Sequence, residues 1–201
     1  MLEIEMKFPV ESLESIETKL TELGAARGEA RTDTDRYFNA PDRDFEQTDE
    51  AFRIRSIGDR NFITYKGPKK DAQTKTRTEI ELPLIEGPEH AESFATLLDH
   101  LGYKFVSVVQ KRRRLFHWKT DGFALEICLD DVEGLGQFVE LEIVAPEEQL
   151  EPAKRTLTNL AEALELKESE RRSYLELYLE KQPKTGGTGD LSEQNRPENE
   201  V

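Results

Sequence analysis

The chemistry of this chain is carried by charged residues spaced two apart. Glu3, Glu5 and Lys7 alternate with Leu2, Ile4, Met6 and Phe8 in LEIEMKF. Arg53 and Arg55 oppose Phe52, Ile54 and Ile57, and Lys66 lies on the hairpin that follows. Arg77, Glu79 and Glu81 oppose Ile80 and Leu82, and Lys111 and Arg113 share a face. Glu126, Cys128 and Asp130 oppose Leu125, Ile127 and Leu129, while Glu140 and Glu142 oppose Val139, Leu141 and Ile143. A period of two places each set on one face of a β-strand. A single strand of this kind turns its polar side to water. With six, the sheet is long enough to curl or close. If helices cover its apolar outside, the charges line the interior.

Interior charge of either sign must be satisfied. Lys7, Arg53, Arg55, Lys66, Arg77, Lys111 and Arg113 suit phosphate oxygens by charge and, for arginine, by forked geometry. Glu3, Glu5, Glu79, Glu81, Glu126, Asp130, Glu140 and Glu142 suit hard cations such as Mg2+ or Mn2+, which take oxygen ligands. A metal triphosphate held in a channel would satisfy both sets at once.

The elements that must position these residues follow from periodicity and turn chemistry. Leu13, Ile16, Leu20 and Leu23 recur at helical spacing before Gly24. Residues 30 to 40 read as extended, with Tyr37 and Phe38 as anchors, and Pro41-Asp42 opens a loop. AFRIRSI and NFITYKG form a hairpin about Gly58-Asp59-Arg60, residues 68 to 75 a polar loop, and TRTEIELPL a strand whose regular pairing ends at Pro83. Phe94, Leu97, Leu98 and Leu101 mark a helix that ends at Gly102. A long extended run, YKFVSVVQKRRRLFHWK, turns at Thr120-Asp121-Gly122 into FALEICLDDV, and residues 134 to 136 (GLG) make a tight turn into QFVELEIVA. From Pro146 the pattern is helical through Leu166, and a short helix carries Tyr174, Leu175, Leu177 and Tyr178.

Of 201 residues, 35% are charged and the formal net charge is -14. That field repels nucleic acid and anionic membranes, so an anionic ligand must be attracted locally. One cysteine, Cys128, excludes an internal disulfide and fits a reducing, cytoplasmic setting. No signal peptide and no membrane-length apolar run is read. The segment from 181 to 201 holds almost nothing that could build a core and reads as a disordered tail.

These residues match a known family in order. Glu3-Ile4-Glu5-Met6-Lys7 resembles the ExExK signature of the CYTH superfamily, the triphosphate tunnel metalloenzymes. FRIR, TYKGP, RTEIE, QKRRRLF and LDDVEGLGQFVELE continue the resemblance, and KESERRSYLELYLE is similar to the C-terminal signature of the CyaB-type, class IV adenylate cyclase branch. The likeness covers residues 1 to 180, read as one CYTH domain. It implies an α+β fold: a closed, mainly antiparallel eight-stranded β-barrel with a charged tunnel and helices packed outside. It implies Glu5, Glu140 and Glu142 as leading metal ligands, with Glu3 and Asp130 contributing, for two Mg2+ or Mn2+ ions. Lys7, Arg53, Lys66, Lys111 and Arg113 would grip the phosphates, with Arg55 and Arg77 on the wall.

The family divides between two reactions. A class IV cyclase directs the 3′-hydroxyl of ATP at the α-phosphorus, giving cyclic AMP and pyrophosphate; a triphosphatase directs water at the terminal phosphorus of tripolyphosphate, thiamine triphosphate or a nucleotide. Lys111, Arg113 and Asp130 are the catalytic candidates, the first two as stabilisers of the reacting centre and leaving group. A non-catalytic polyphosphate or nucleotide sensor would need a degraded metal site, whereas every signature carboxylate is present. CyaB-type relatives imply a homodimer. His117-Trp118 reads as packing and surface. Cys128 can line the tunnel but lacks the basic surroundings of a nucleophile. Arg171-Arg172 reads as a solvated helix, and Lys69, Lys70 and Lys75 as a loop.

Overall fold

The alternating segments form one eight-stranded antiparallel sheet in a computed structural model that describes residues 2–70 and 76–182. Its strands are β1 (Leu2–Val10), β2 (Ala26–Asn39), β3 (Ala51–Ile57), β4 (Arg60–Lys66), β5 (Glu79–Pro83), β6 (Lys104–Thr120), β7 (Phe123–Val132) and β8 (Gly136–Ala145). They lie in the order β1-β8-β7-β6-β2-β3-β4-β5. The turn between β6 and β7 is Asp121-Gly122, both at positive φ (51° and 80°), the backbone that a two-residue hairpin demands. Gly134 and Gly136, at φ 73° and 110°, make the tight turn expected before β8. Two register shifts in the long β2–β6 ladder, at Arg27/Ala30 and Tyr37/Phe38, bend the sheet.

Helices α1 (Leu13–Glu22), α2 (Phe45–Thr48), α3 (Pro88–His100), α4 (Leu150–Ala163) and α5 (Tyr174–Lys181) complete the fold. The single turn α2, capped by the Asp44 side chain, lies within the loop opened by Pro41-Asp42 and is too short for periodicity to mark. α1 and α4 cover the outside of β1, β8 and β7, where Ile4, Ile127, Leu141 and Ile143 pack with Leu20, Leu157 and Leu160. Each such buried side chain contributes about 1.5–3 kcal/mol, which holds the apolar strand faces outward against the helices. α3 covers Ile54 and Phe38 in the same way through Ala91 and Leu98. The cover stops at β5: Ile80 and Leu82 remain 50% and 55% exposed. Among the described residues, no helix is long and apolar enough to cross a membrane.

The expected closed barrel is realised as a curled half-barrel. The outer strand β1 is linked to the segment leading into β5 by the Glu3–Arg77 bridge, where the Arg77 N–H donates to the Glu3 carbonyl at 3.4 Å. A full ladder is not available, because β5 has five residues and ends at Pro83, which has no N–H. The same edge of β1 is also used by the segment before α5: the Glu170 N–H donates to the Lys7 carbonyl at 2.7 Å. The tail expected from residue 181 lies, from 183 onward, outside the described residues, as does Lys75.

Candidate active site

The inward faces enclose a cavity of about 860 Å³. Glu3, Glu5, Arg53, Arg55, Lys66, Arg77, Lys111, Arg113, Glu140 and Glu142 all line it, with Glu79, Glu81 and Glu126. Its two sides differ in sign. On one, Glu142 of β8 stands directly opposite Glu5 of β1 and Glu126 of β7, so three carboxylates form a row across three strands. The other side carries Lys111 and Arg113 on β6 and Arg53 and Arg55 on β3, while Lys66 on β4 lies at the seam with β1.

One oxygen from each of Glu3, Glu5 and Glu142 lies within 4.8 Å of the others. Like charges facing one another across strands are unfavourable. Withdrawal from water, then the charges of Glu3, Glu140 and Glu5, push the Glu142 carboxyl up to about 8, with Arg113 opposing. Lys66 offsets part of this: its Nζ lies 3.0 Å from Glu3 Oε1 and 2.7 Å from Glu79 Oε2. An all-oxygen set with surplus negative charge fits a hard divalent cation. Burial also pushes the Cys128 thiol well up, with Glu142, Asp130 and Glu140 adding to it against Arg113.

The basic side is built on two carboxylates that lie outside the set predicted from sequence. Asp35 accepts from Arg55 Nε at 2.7 Å and from Nη2 at 2.9 Å, and from Arg53 Nη1 at 3.2 Å. Lys111 Nζ lies 3.9 Å from the same carboxylate. Burial alone would raise the Asp35 carboxyl, but Arg53, Arg55 and Lys111 outweigh it and hold it far below the usual carboxylate range. Asp33 adds a weaker pairing with Arg55, at 3.9 Å. A signal for both exists in the sequence: Arg31, Asp33, Asp35 and Tyr37 alternate in RTDTDRY. Burial, then the charges of Arg113 and Arg55, push the Lys111 ammonium down.

Two candidates stand behind the cavity wall. Asp130, expected among the metal ligands and catalytic groups, is 0% exposed. It accepts from Arg113 Nε at 2.7 Å and Nη2 at 2.6 Å, and from the Tyr174 hydroxyl at 2.9 Å. Its oxygens are committed to bracing Arg113, which also pairs with Glu140. Lys7, expected to grip phosphate, is 1% exposed. Its Nζ donates to the Arg172 carbonyl at 2.6 Å and lies 4.0 Å from the Tyr174 ring centre, so it ties β1 to the start of α5. Both are taken up by the start of α5, Lys7 through the Arg172 carbonyl and the Tyr174 ring and Asp130 through the Tyr174 hydroxyl. Tyr174 itself reads from sequence as an apolar helix residue; nothing in its spacing marks the buried hydroxyl.

Comparison with known proteins agrees with this geometry. The CYTH domain family matches residues 1–174. A Methanocaldococcus jannaschii protein named as a candidate adenylate cyclase is 37% identical over 180 residues, covering 88% of this chain and 98% of that one. The adenylate cyclase CyaB of Aeromonas hydrophila is 26% identical over 186 residues, covering 86% of each. The solved structure of a Pyrococcus horikoshii protein superposes with a TM-score of 0.78 at 38% identity, covering 90% of this chain and 99% of that one. With Glu3, Glu5, Glu140 and Glu142 and the bases of β3, β4 and β6 lining one cavity, the chain belongs to the CYTH family.

Proposed function

We propose that this chain is a metal-dependent enzyme that converts ATP into cyclic AMP and pyrophosphate. The observation that carries the reading is the opposition of two walls across one cavity: Glu3, Glu5 and Glu142 on one side, Arg53, Arg55, Lys111 and Arg113 on the other. The names of the M. jannaschii and A. hydrophila relatives support the choice of reaction.

Glu3, Glu5 and Glu142, with Glu140 beside them, would hold Mg2+ or Mn2+. When bound, a divalent ion lowers the pKa of an attacking hydroxyl and offsets charge on phosphate oxygens. The protein's own groups do the rest. Arg53 and Arg55, fixed by Asp35, present immobile guanidinium groups to the phosphate chain. Arg113, fixed by Asp130, is placed to stabilise charge that develops at the reacting phosphorus and on the leaving group. Because its geometry is set before substrate arrives, little reorganisation is needed during the reaction. Lys111, 3.9 Å from Asp35, would add its charge beside the guanidinium groups that receive the phosphate chain.

The same cations and carboxylates would serve attack by water as well as by a ribose hydroxyl, so hydrolysis of a terminal phosphate is the second reading. One experiment separates them: ATP, tripolyphosphate and thiamine triphosphate are each incubated with the protein and Mg2+ or Mn2+, and the products identified. Cyclic AMP with pyrophosphate is expected. Orthophosphate alone would overturn the cyclase in favour of a triphosphatase, and tight binding without turnover would leave a sensor.

A further inference from the structure

Three guanidinium groups and two carboxylates alternate along the basic wall. Arg53 and Arg55 share Asp35, at 3.2 Å and 2.7 Å. Arg55 and Arg31 share Asp33, whose Oδ1 accepts from Arg31 Nε at 2.9 Å and whose Oδ2 lies 3.9 Å from Arg55 Nε. Asp33 and Asp35 are buried behind the wall, 0% and 1% exposed, while Arg31, Arg53 and Arg55 line the cavity. The shared carboxylates fix the order of the row as Arg53, Arg55, Arg31. From Arg31 to Asp35 the wall follows about 14 Å of β2, at about 3.4 Å per residue.

Both ends of the row keep donors unspent. Arg53 Nε is buried and has no hydrogen-bond partner among the described residues. Arg31 spends Nε on Asp33, and its Nη1 stands 3.8 Å from Glu29, beyond hydrogen-bond reach. Arg31 also lies directly across from Arg113 in the β2–β6 ladder, where like charges repel. Arg113 itself is matched by Asp130 and Glu140. Three guanidinium groups on two carboxylates leave positive charge over, and Lys111 adds to it beside Asp35. The surplus is therefore largest at the Asp35 end, and the row runs on from there to Arg31. Anionic oxygens spaced along a chain suit such a row, because each guanidinium presents a fork of donors.

We propose that Arg31 is a phosphate-binding residue at the far end of the basic wall, and that it makes the cavity prefer a chain of three phosphates to a chain of two. The inference rests on the triphosphate reading of the cavity and deepens it. A chain seated on Arg53, Arg55 and Lys111 extends along the row, and its third phosphate reaches Arg31. Pyrophosphate is satisfied at the Asp35 end and stops short. The contrasting account makes Arg31 a brace for Asp33 and, through it, for Arg55. It predicts that replacing Arg31 weakens both chains by one common factor.

The test is calorimetric titration of the full chain with pyrophosphate and with tripolyphosphate, in chelator. Wild type is expected to bind tripolyphosphate more tightly. Arg31→Gln, which keeps a donor for Asp33, is expected to lose about tenfold or more in affinity for tripolyphosphate and less than about threefold for pyrophosphate. Arg31→Lys keeps the charge without the fork and is expected to lose less than Arg31→Gln. An equal loss for both chains in Arg31→Gln, or no loss, overturns the role of Arg31 and leaves the triphosphate reading standing. A wild type that binds the two chains equally tightly overturns the preference whatever the variants do. A wild type that binds neither overturns both readings.

Discussion

The Tyr174 hydroxyl donates to Asp130 Oδ2 across 2.9 Å, and so joins the C-terminal helix to the brace behind Arg113. The contact is fully buried, and Asp130 is a charged acceptor that water cannot reach. Tyr174→Phe removes the donor and keeps the ring that packs on Phe138 and under Lys7. Loss of a buried bond to a charged group costs about 1.5–3 kcal/mol. Urea unfolding should show that loss, and turnover should fall because Arg113 is held less firmly. An unaltered midpoint with unaltered turnover would mean that Arg113 alone satisfies Asp130.

Asp35 anchors three cations, so its removal should be more costly than removal of Tyr174's hydroxyl. Asp35→Asn leaves Arg53, Arg55 and Lys111 buried with their mutual repulsion unscreened. Breaking a buried pair from one side costs about 3–5 kcal/mol. The same loss makes those cations available to an added anion. Tripolyphosphate should therefore raise the unfolding temperature of Asp35→Asn by more than it raises that of wild type; an equal or smaller rise contradicts the anchoring role. In wild type, the carboxyl is depressed in the folded state, so its contribution is present at neutral pH and is lost only in acid, below about pH 4.

Much of this site is legible in the alternation itself. Glu3 and Glu5, Arg53 and Arg55, Lys111 and Arg113, Glu140 and Glu142 reach the cavity because a period of two leaves them no other face once Ile4, Ile54, Leu141 and Ile143 are buried outside. Depth along the tunnel is not legible. Lys7 and Asp130 share faces with lining residues, but contacts with Arg172 and Tyr174 at the start of α5 take them up. Asp33 and Asp35 are visible as alternating residues but not as the counter-charges of arginines 18 to 22 positions away, because the register of β2 on β3 is a tertiary fact. The exposed Ile80 and Leu82 show the same limit: alternation assigns a face, not what covers it.

The acid row predicts a pH dependence of stability. Glu142 titrates at about 8 in the folded chain and near its ordinary value of 4.5 when unfolded. Its protonated form is the one that folding favours, so the native state binds more protons than the unfolded state between those values. The resulting sign is a loss of stability as pH rises from about 4.5 to about 8, on the order of a few kcal/mol. Thermal unfolding in chelator across this range should fall, Glu142→Gln should flatten the slope, and saturating Mn2+ should offset it. A rise in stability over the same interval for wild type, attributable to Glu142 by the variant, would reverse the assignment.

Lys66 offers a prediction in which two affinities move in opposite directions. Its Nζ lies within 3.3 Å of both oxygens of Glu3 and 2.7 Å from Glu79, across the seam between β1 and the β4–β5 hairpin. The ammonium therefore competes with a cation for Glu3 while offering itself to phosphate. Lys66→Met preserves the stem and removes the charge. Phosphate loses a charged donor worth about 1.5–3 kcal/mol, which is roughly a tenfold to hundredfold loss in affinity for tripolyphosphate. Glu3, no longer neutralised, should bind Mn2+ more tightly. Calorimetric titration of each ligand in the absence of the other reads the two effects separately. Parallel weakening of both would indicate that Lys66 acts by holding the seam together rather than by its charge.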